Sequence, residues 1–379
     1  MAEALEICGD CDPRFAEVKR AFARNFEDGL EIGASFAATV DGECVVDLWA
    51  GHADQTGRRP WERDTIVNVY STTKPMAALC ALMLVDRGQL DLDAPVARYW
   101  PEFAQAGKDA LPVRYLLSHT AGLAGFTEPI PAEALYDWDR IAGLLAAQEP
   151  MWEPGAQSGY HALSFGHLLG ELVRRVTGRT LGTFFREEVA EPLGADFHIG
   201  LAEEHEPRVG EMIPPQLADL AAELAPGSVA EKVLGNPRMA GSIANQRAWR
   251  AAEIPAANGQ GNARSVARVT AAMACGGELD GVRLLTPATL EKTIEEQCYG
   301  RDLVLDLPIR WGLGFGLTSK EIPIGPNPRA FFWGGWGGSL VVIDLDARLS
   351  FSYVMNKMGS STMGDARALL PAAALYGAL

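Results

Sequence analysis

No stretch of about 18 unbroken apolar residues occurs in the 379-residue chain, so no membrane-spanning helix is expected. The opening "MAEALEICGDCDPRF" carries acids and lacks a basic start followed by an apolar run. It is therefore read as no secretory signal, and a cytoplasmic protein is expected. Basic charge is also scarce. Lysine and arginine number 33 against 49 acids, a formal charge of −16, which argues against nucleic acid or an anionic membrane as partner. Of six cysteines, only Cys8 and Cys11 have a spacing that zinc or a redox disulfide uses; a second pair is lacking, so no metal is expected. The pentapeptide G-x-S-x-G of the α/β-hydrolases is missing, and the six histidines form no metal pattern such as H-E-x-x-H.

What is present is a globular composition, 48% hydrophobic and 22% charged, with length enough for one large domain or two interlocked ones. Pro13 opens a segment with Phe15, Val18, Phe22 and Phe26 on one helical stripe. "ASFAATVDGECVVDLWAG" reads as two strands joined by a turn at Asp41-Gly42. "FFWGGWGGSLVVIDLDARLSFSYVMNKM" reads as further antiparallel strands turning near Asp346, and "MGDARALLPAAALYGAL" as a closing helix. From about residue 76 to 300 the pattern is mostly helical. Strands at both ends and helices between predict one sheet built from both termini with a helical insertion. The expected division is 1–85 with 262–379 as an α/β domain, and 86–261 as a helical region over the cleft. Within it, the Ala-, Pro- and Gly-rich stretch 202–258 is expected to shape the substrate pocket.

Chemistry is concentrated at "NVYSTTKPMAALCALML" (68–84), where a β-like run meets an apolar helix. Residues three apart share a helix face, so Ser71 has Lys74 beside its hydroxyl. Serine needs a base before it attacks, and lysine is a base only when neutral. An apolar helix entering a core supplies the desolvation that lowers a lysine pKa. The plain alternative makes Ser71 a helix cap and Lys74 a solvated first-turn residue. Two further segments bear on this: Tyr160 follows a Pro-Gly turn, and "FFWGGWGGS" holds a glycine-rich strand, Trp333 to Gly338, that backbone or ligand can approach closely. Singly, Tyr160 reads as a core tyrosine and the glycines as a bulge.

Taken in order, these three segments resemble the serine β-lactamase and penicillin-binding-protein superfamily, and within it the family VIII carboxylesterases. "LLSHTAGL" (116–123), "EPLGAD" (191–196) and "YVMN" (353–356) resemble further landmarks, so the likeness spans nearly the whole chain. It implies a β-lactamase/transpeptidase-like α/β (α+β) fold. It makes Ser71 the acylated nucleophile, Lys74 its base and Tyr160 the proton shuttle to leaving group and water. The backbone N–H groups of Ser71 and Trp336 would form the oxyanion hole. Trp333, Gly334, Gly335, Trp336 and His161 would bind substrate, although a bystander role suits His161 better, and His119 is read as structural. A cationic Lys74 is expected to hold Tyr160 nearer its phenolate form.

Two departures bear on substrate. Ala162 stands where β-lactamases of this type carry an asparagine that contacts the antibiotic's amide, and Trp333 stands where they carry a lysine. Both losses favour a neutral substrate, and Trp333 and Trp336 are expected to narrow the site for short acyl chains. The resemblance therefore implies a cofactor-free, metal-free carboxylesterase acting on a small-molecule ester through an acyl-serine. A β-lactamase, a D-amino-acid peptidase, an acyltransferase and a non-catalytic ligand-binding homologue are the alternatives.

Overall fold

A computed structural model describes residues 6–215 and 224–379. Residues 216–223, part of the expected pocket-shaping stretch, and the first five residues of the N-terminus lie outside them.

Nine strands build the main sheet: β1 (Cys8–Cys11), β2 (Gly33–Val40), β3 (Glu43–Gly51), β4 (Cys298–Arg301), β5 (Pro308–Trp311), β6 (Gly316–Leu317), β7 (Ala330–Gly334), β8 (Leu340–Asp344) and β9 (Leu349–Met355). Their order across the sheet is β1-β3-β2-β9-β8-β7-β6-β5-β4, antiparallel throughout. The two chain ends thus meet at β2 and β9, whose register runs from Leu349↔Val40 to Met355↔Ala34. Asp41 and Gly42 both take positive φ, as a two-residue hairpin of matching twist requires. The expected C-terminal turn falls between Asp344 and Leu349.

Both faces of the sheet centre are covered, which is why β8 and β9 are buried along their whole lengths, Ser350 and Ser352 of β9 included. Five longer helices matter here: α1 (Ala16–Glu27), α2 (Lys74–Asp86), α3 (Ser164–Thr177), α4 (Ala263–Ala274) and α5 (Ala366–Gly377). Helices α1 and α5, from opposite chain ends, pack together, with Val18 and Phe22 of α1 and Ala368, Ala372 and Leu375 of α5 in the core. Helix α4 lies against β2, β8 and β9.

Helix α2 packs on α3 and is buried from Lys74 to Leu84, so it is apolar all round. It is preceded by a single 3-10 turn, Tyr70–Thr73. Of the β-like run before it only Val67–Asn68 is a strand, paired with Gln260–Gly261 in a small sheet whose third strand is Phe197–His198.

Cys8 and Cys11 sit three residues apart on extended β1, which separates their Cα atoms by about 10 Å. That is beyond disulfide reach. All six cysteines are free thiols.

Candidate active site

Ser71 is presented by a turn that the surrounding chain forces into shape. Tyr70, immediately before it, takes φ 45°, a left-handed conformation costly for an aromatic residue. Its side chain explains how that is held: the hydroxyl donates to Gly241 O at 2.5 Å, and the ring meets Trp336 edge-on at 5.3 Å. Thr73 Oγ1 donates to Tyr70 O and accepts from Gly259 N. On the other side Ser339 Oγ donates to Val69 O at 2.8 Å and lies 2.9 Å from Thr72 Oγ1. No cap role remains for Ser71. Thr73 occupies the N-cap of α2, and the Ser71 hydroxyl faces two other groups.

Those groups are Lys74 Nζ at 3.0 Å and Tyr160 Oη at 2.7 Å, the tyrosine donating to Ser71 Oγ. Residues 89 positions apart in sequence therefore meet at one oxygen. Lys74 is 1% exposed, and burial drives its pKa well below the ordinary lysine value. It forms no ion pair among the described residues. Its remaining contacts are two backbone carbonyls, Ala162 O at 2.7 Å and Ala256 O at 2.9 Å. A neutral amine has two N–H donors and one lone pair. With both donors given to the carbonyls, the lone pair is left for the Ser71 hydroxyl proton. The next carbonyl, Ala257 O, accepts from Asn68 Nδ2, and Asn68 Oδ1 in turn accepts from Trp249 Nε1 and Gln260 Nε2 in a buried polar network.

Tyr160 differs from its expected ionisation. Burial pushes its phenol above the ordinary tyrosine range, so the resting group is a neutral phenol beside a neutral amine, not a phenolate beside a cation. Its ring lies 4.6 Å from Lys74 Nζ. Asp302, fully buried, accepts the Tyr160 backbone N–H at 2.9 Å and those of Val304 and Leu305 at 3.0 Å. Nothing in the sequence marks Asp302 among 49 acids; its role follows only from the pairing of distant segments.

The third motif divides its work in a way the sequence does not show. Trp333 does not line the cleft. It is 1% exposed behind Tyr160, and its indole N–H points at Tyr160 Oη at 3.3 Å, which corrects its assignment to the substrate-binding set. Gly334 is pressed against other backbone: a Cβ there would lie 2.4 Å from Met363 C. Gly335 is the contact glycine of the site. A Cβ on it would meet Val69 O at 2.2 Å, Ser339 Oγ at 2.4 Å and Ser71 N at 3.1 Å. The backbone at Gly335 thus runs directly beside the Ser71 amide. Trp336 follows, lines the cleft, and donates its backbone N–H to no protein acceptor among the described residues. Ser71, at the start of its helical turn, likewise has no acceptor one turn back. Two free N–H groups beside the nucleophile suit an oxygen that gains negative charge.

His161 is also moved out of the cleft. It is fully buried, its Nε2 accepts from Leu123 N, and its Nδ1 lies 2.7 Å from Gly159 O. Burial lowers its pKa to about 3, so it stays neutral. His119, with φ 60°, accepts the His161 backbone N–H through Nδ1 and packs on Trp311 at 4.3 Å. Its place is structural.

The remaining walls were not nameable from sequence. Val233, Leu234, Pro237 and Met239, all from the expected pocket-shaping stretch, line the cleft together with Leu305, Trp336 and Ser71. They enclose a small apolar cavity of about 60 Å³. No group of His, Cys, Asp and Glu suited to a metal ion occurs among the described residues.

Comparison with known proteins gives the family and the fold. A family model described as Beta-lactamase matches residues 22–375. The esterase/beta-lactamase LipL of Mycobacterium tuberculosis is 38% identical over 364 residues, 93% of this chain and 83% of its own length. A family VIII carboxylesterase crystal structure superposes with a TM-score of 0.93 at 46% identity, covering 99% of this chain and 100% of that one. A penicillin-binding-protein homologue from Caulobacter crescentus gives a TM-score of 0.93 at 43% identity over 99% and 100%.

Proposed function

Because the chain belongs to the beta-lactamase family and is an enzyme of the serine hydrolases grouped there, we propose that it cleaves neutral carboxylic esters with short acyl chains through an acyl-Ser71 intermediate. The observation that carries this reading is the meeting of Ser71, an uncharged Lys74 and Tyr160 at one oxygen.

In the first step Ser71 Oγ bonds to the ester carbonyl carbon while its proton passes to the Lys74 lone pair. The carbonyl oxygen becomes an oxyanion facing the N–H groups of Ser71 and Trp336, each such donor contributing roughly 3 kcal/mol to the transition state. The alcohol then leaves with the Tyr160 proton. The phenolate this creates is paired with the now cationic Lys74, so the charges cancel inside the pocket, and Trp333 N–H donates to the same oxygen. Water next attacks the acyl carbon and gives its proton to Tyr160. Collapse returns the Lys74 proton to Ser71 Oγ and releases the acid. No cofactor is needed for any step.

The cavity supports short, uncharged acyl groups, since its walls are apolar and its volume small. Against a β-lactam stands Ala162, which offers only a methyl group, and Trp333, which is turned away behind Tyr160. Cytoplasmic location and a small-molecule ester as the binding partner belong to the same reading; no helix of the described residues is long and apolar enough to cross a membrane.

The test compares p-nitrophenyl butyrate with nitrocefin on wild type and Ser71→Ala. Wild type is expected to prefer the ester in kcat/KM, and Ser71→Ala to lose at least about 10³-fold while keeping its melting temperature. An unchanged rate in Ser71→Ala would remove the mechanism, and a preference for nitrocefin would restore the β-lactamase alternative.

A further inference from the structure

The turn that carries Trp336 is held from two sides. From below, Ser339 ties it to the Ser71 turn, and Gly335 N–H donates to Ser339 O at 2.8 Å while Gly338 N–H donates to Gly335 O at 3.1 Å. From the other side comes a residue of the C-terminal helix. Arg367 Nη2 donates to Gly337 O at 2.5 Å, and Gly359 N–H donates to the same oxygen at 2.7 Å. The guanidinium lies so close that a Cβ on Gly338 would sit 2.5 Å from Nη2. Gly338 has φ 125°, a conformation only glycine adopts without strain.

Arg367 is itself fixed. Its side chain is 8% exposed, it pairs with Asp365 through Nε and Nη2, it contacts Glu31 at 3.2 Å, and Nη1 donates to Lys357 O at 2.7 Å. Five donors in a planar fork are thus spread over the C-terminal helix start, the 357–359 segment and the Trp336 turn. A salt bridge serving only to dock a helix has no need to donate into a glycine turn one residue from the oxyanion position.

We propose that Arg367 is a positioning residue for ester cleavage, holding the Gly335–Gly338 turn so that Trp336 N–H points at the acyl oxygen. This rests on the reading of Ser71 as nucleophile and Trp336 N–H as oxyanion donor. The side chain touches no substrate. Its effect is exerted where negative charge develops, so it belongs to the transition state and not to substrate binding.

Three variants test it with p-nitrophenyl butyrate, well below each variant's melting temperature. Arg367→Ala is expected to lose about ten- to a hundredfold in kcat with KM within twofold, because a donor displaced by less than 1 Å forfeits part of its contribution. Arg367→Lys, which can still reach Gly337 O with one donor, is expected to recover about tenfold of that loss. Asn25→Ala is the control: Asn25 Nδ2 donates to the Arg367 backbone carbonyl at 2.9 Å, so its loss loosens the same helix without touching the turn. It is expected to lower the melting temperature and leave kcat unchanged. Should Arg367→Ala not fold, Arg367→Met keeps a buried stem without any donor to Gly337 O, and the same kcat loss is expected. Wild-type kcat in Arg367→Ala or Arg367→Met, or equal kcat losses in Arg367→Ala and Asn25→Ala, would overturn the assignment with the Ser71 mechanism intact. A wild type that neither turns over ester nor labels Ser71 with a phosphonate would bring down both.

Discussion

Lys74 shows how one residue's surroundings decide its chemistry. A lysine in water is an ammonium with three donors and nothing to accept a proton. Here two main-chain carbonyls accept from it, no carboxylate among the described residues pairs with it, and burial drives its pKa well below the ordinary lysine value, which favours the neutral amine. The sign of the pH dependence follows. Activity requires the unprotonated amine, so kcat/KM should fall as pH drops through Lys74's lowered pKa and hold steady above it. The acid limb is expected well below the ordinary lysine range. Lys74→Arg should lose roughly 10³-fold or more, since a guanidinium stays charged and cannot act as base. A rate profile rising only above pH 9 in wild type, or an active Arg variant, would contradict this. At this scale the sequence was informative about identities: Ser71, Lys74 and Tyr160 stand in quotable motifs. It was silent about Asp302 and the two carbonyls, which carry no local pattern.

Between β7 and β8 the sharp glycine turn shows how elements, not residues, set distances. The Ser71 turn and the Gly335 backbone approach until no Cβ fits between them. Gly335→Ala is therefore expected to separate Ser71 N–H from Trp336 N–H, lowering kcat by about 10²-fold. The check is kcat measured on protein whose near-ultraviolet circular dichroism matches wild type; a rate within twofold would show that the turn yields cheaply. The strands that flank this turn were readable because β7 has a run of aromatic residues and β8 a run of apolar, β-branched ones. Strands β4, β5 and β6 were not, and the region to residue 300 read as mostly helical. "CYGR" and "GL" are too short and too glycine-rich to show a period of two. They become strands because each pairs with the next, from β7 outwards to the sheet's edge.

For the molecule as a whole, the joining of the two chain ends is the structural event that matters. Helices α1 and α5 pack together, β2 pairs β9, and Glu31 from the N-terminal side meets Arg367 from the C-terminal side. Burial raises the Glu31 pKa from 4.5 to about 8, against the pull of Arg367. Protonated Glu31 leaves Arg367 balanced by Asp365, a neutral arrangement in a nearly dry place. Between those two pH values the folded chain holds a proton that the unfolded chain has released. This contribution to stability is complete below about pH 4.5 and is lost as pH climbs through 8. Its slope is about 1.4 kcal/mol per pH unit at most. Urea midpoints of wild type should thus fall from pH 5.5 to 8.5 relative to Glu31→Gln; parallel curves for the two proteins would refute the linkage.

Sequence alone singled out Ser71 and Lys74 by their spacing and the general architecture by its apolar patterns, because these are local quantities that survive without a fold, and the family resemblance added Tyr160. It also marked the glycine-rich stretch from Trp333 to Gly338 as a place of close approach, glycine having no side chain to obstruct one. Only the tertiary structure decided which of the motif residues touch the cleft. Trp333 and His161 lie next to site residues in the chain, yet their side chains turn inward, because direction depends on the sheet and helices packed around them. It also decided protonation, since desolvation is a property of everything that surrounds an amine or a phenol and of no single stretch of chain.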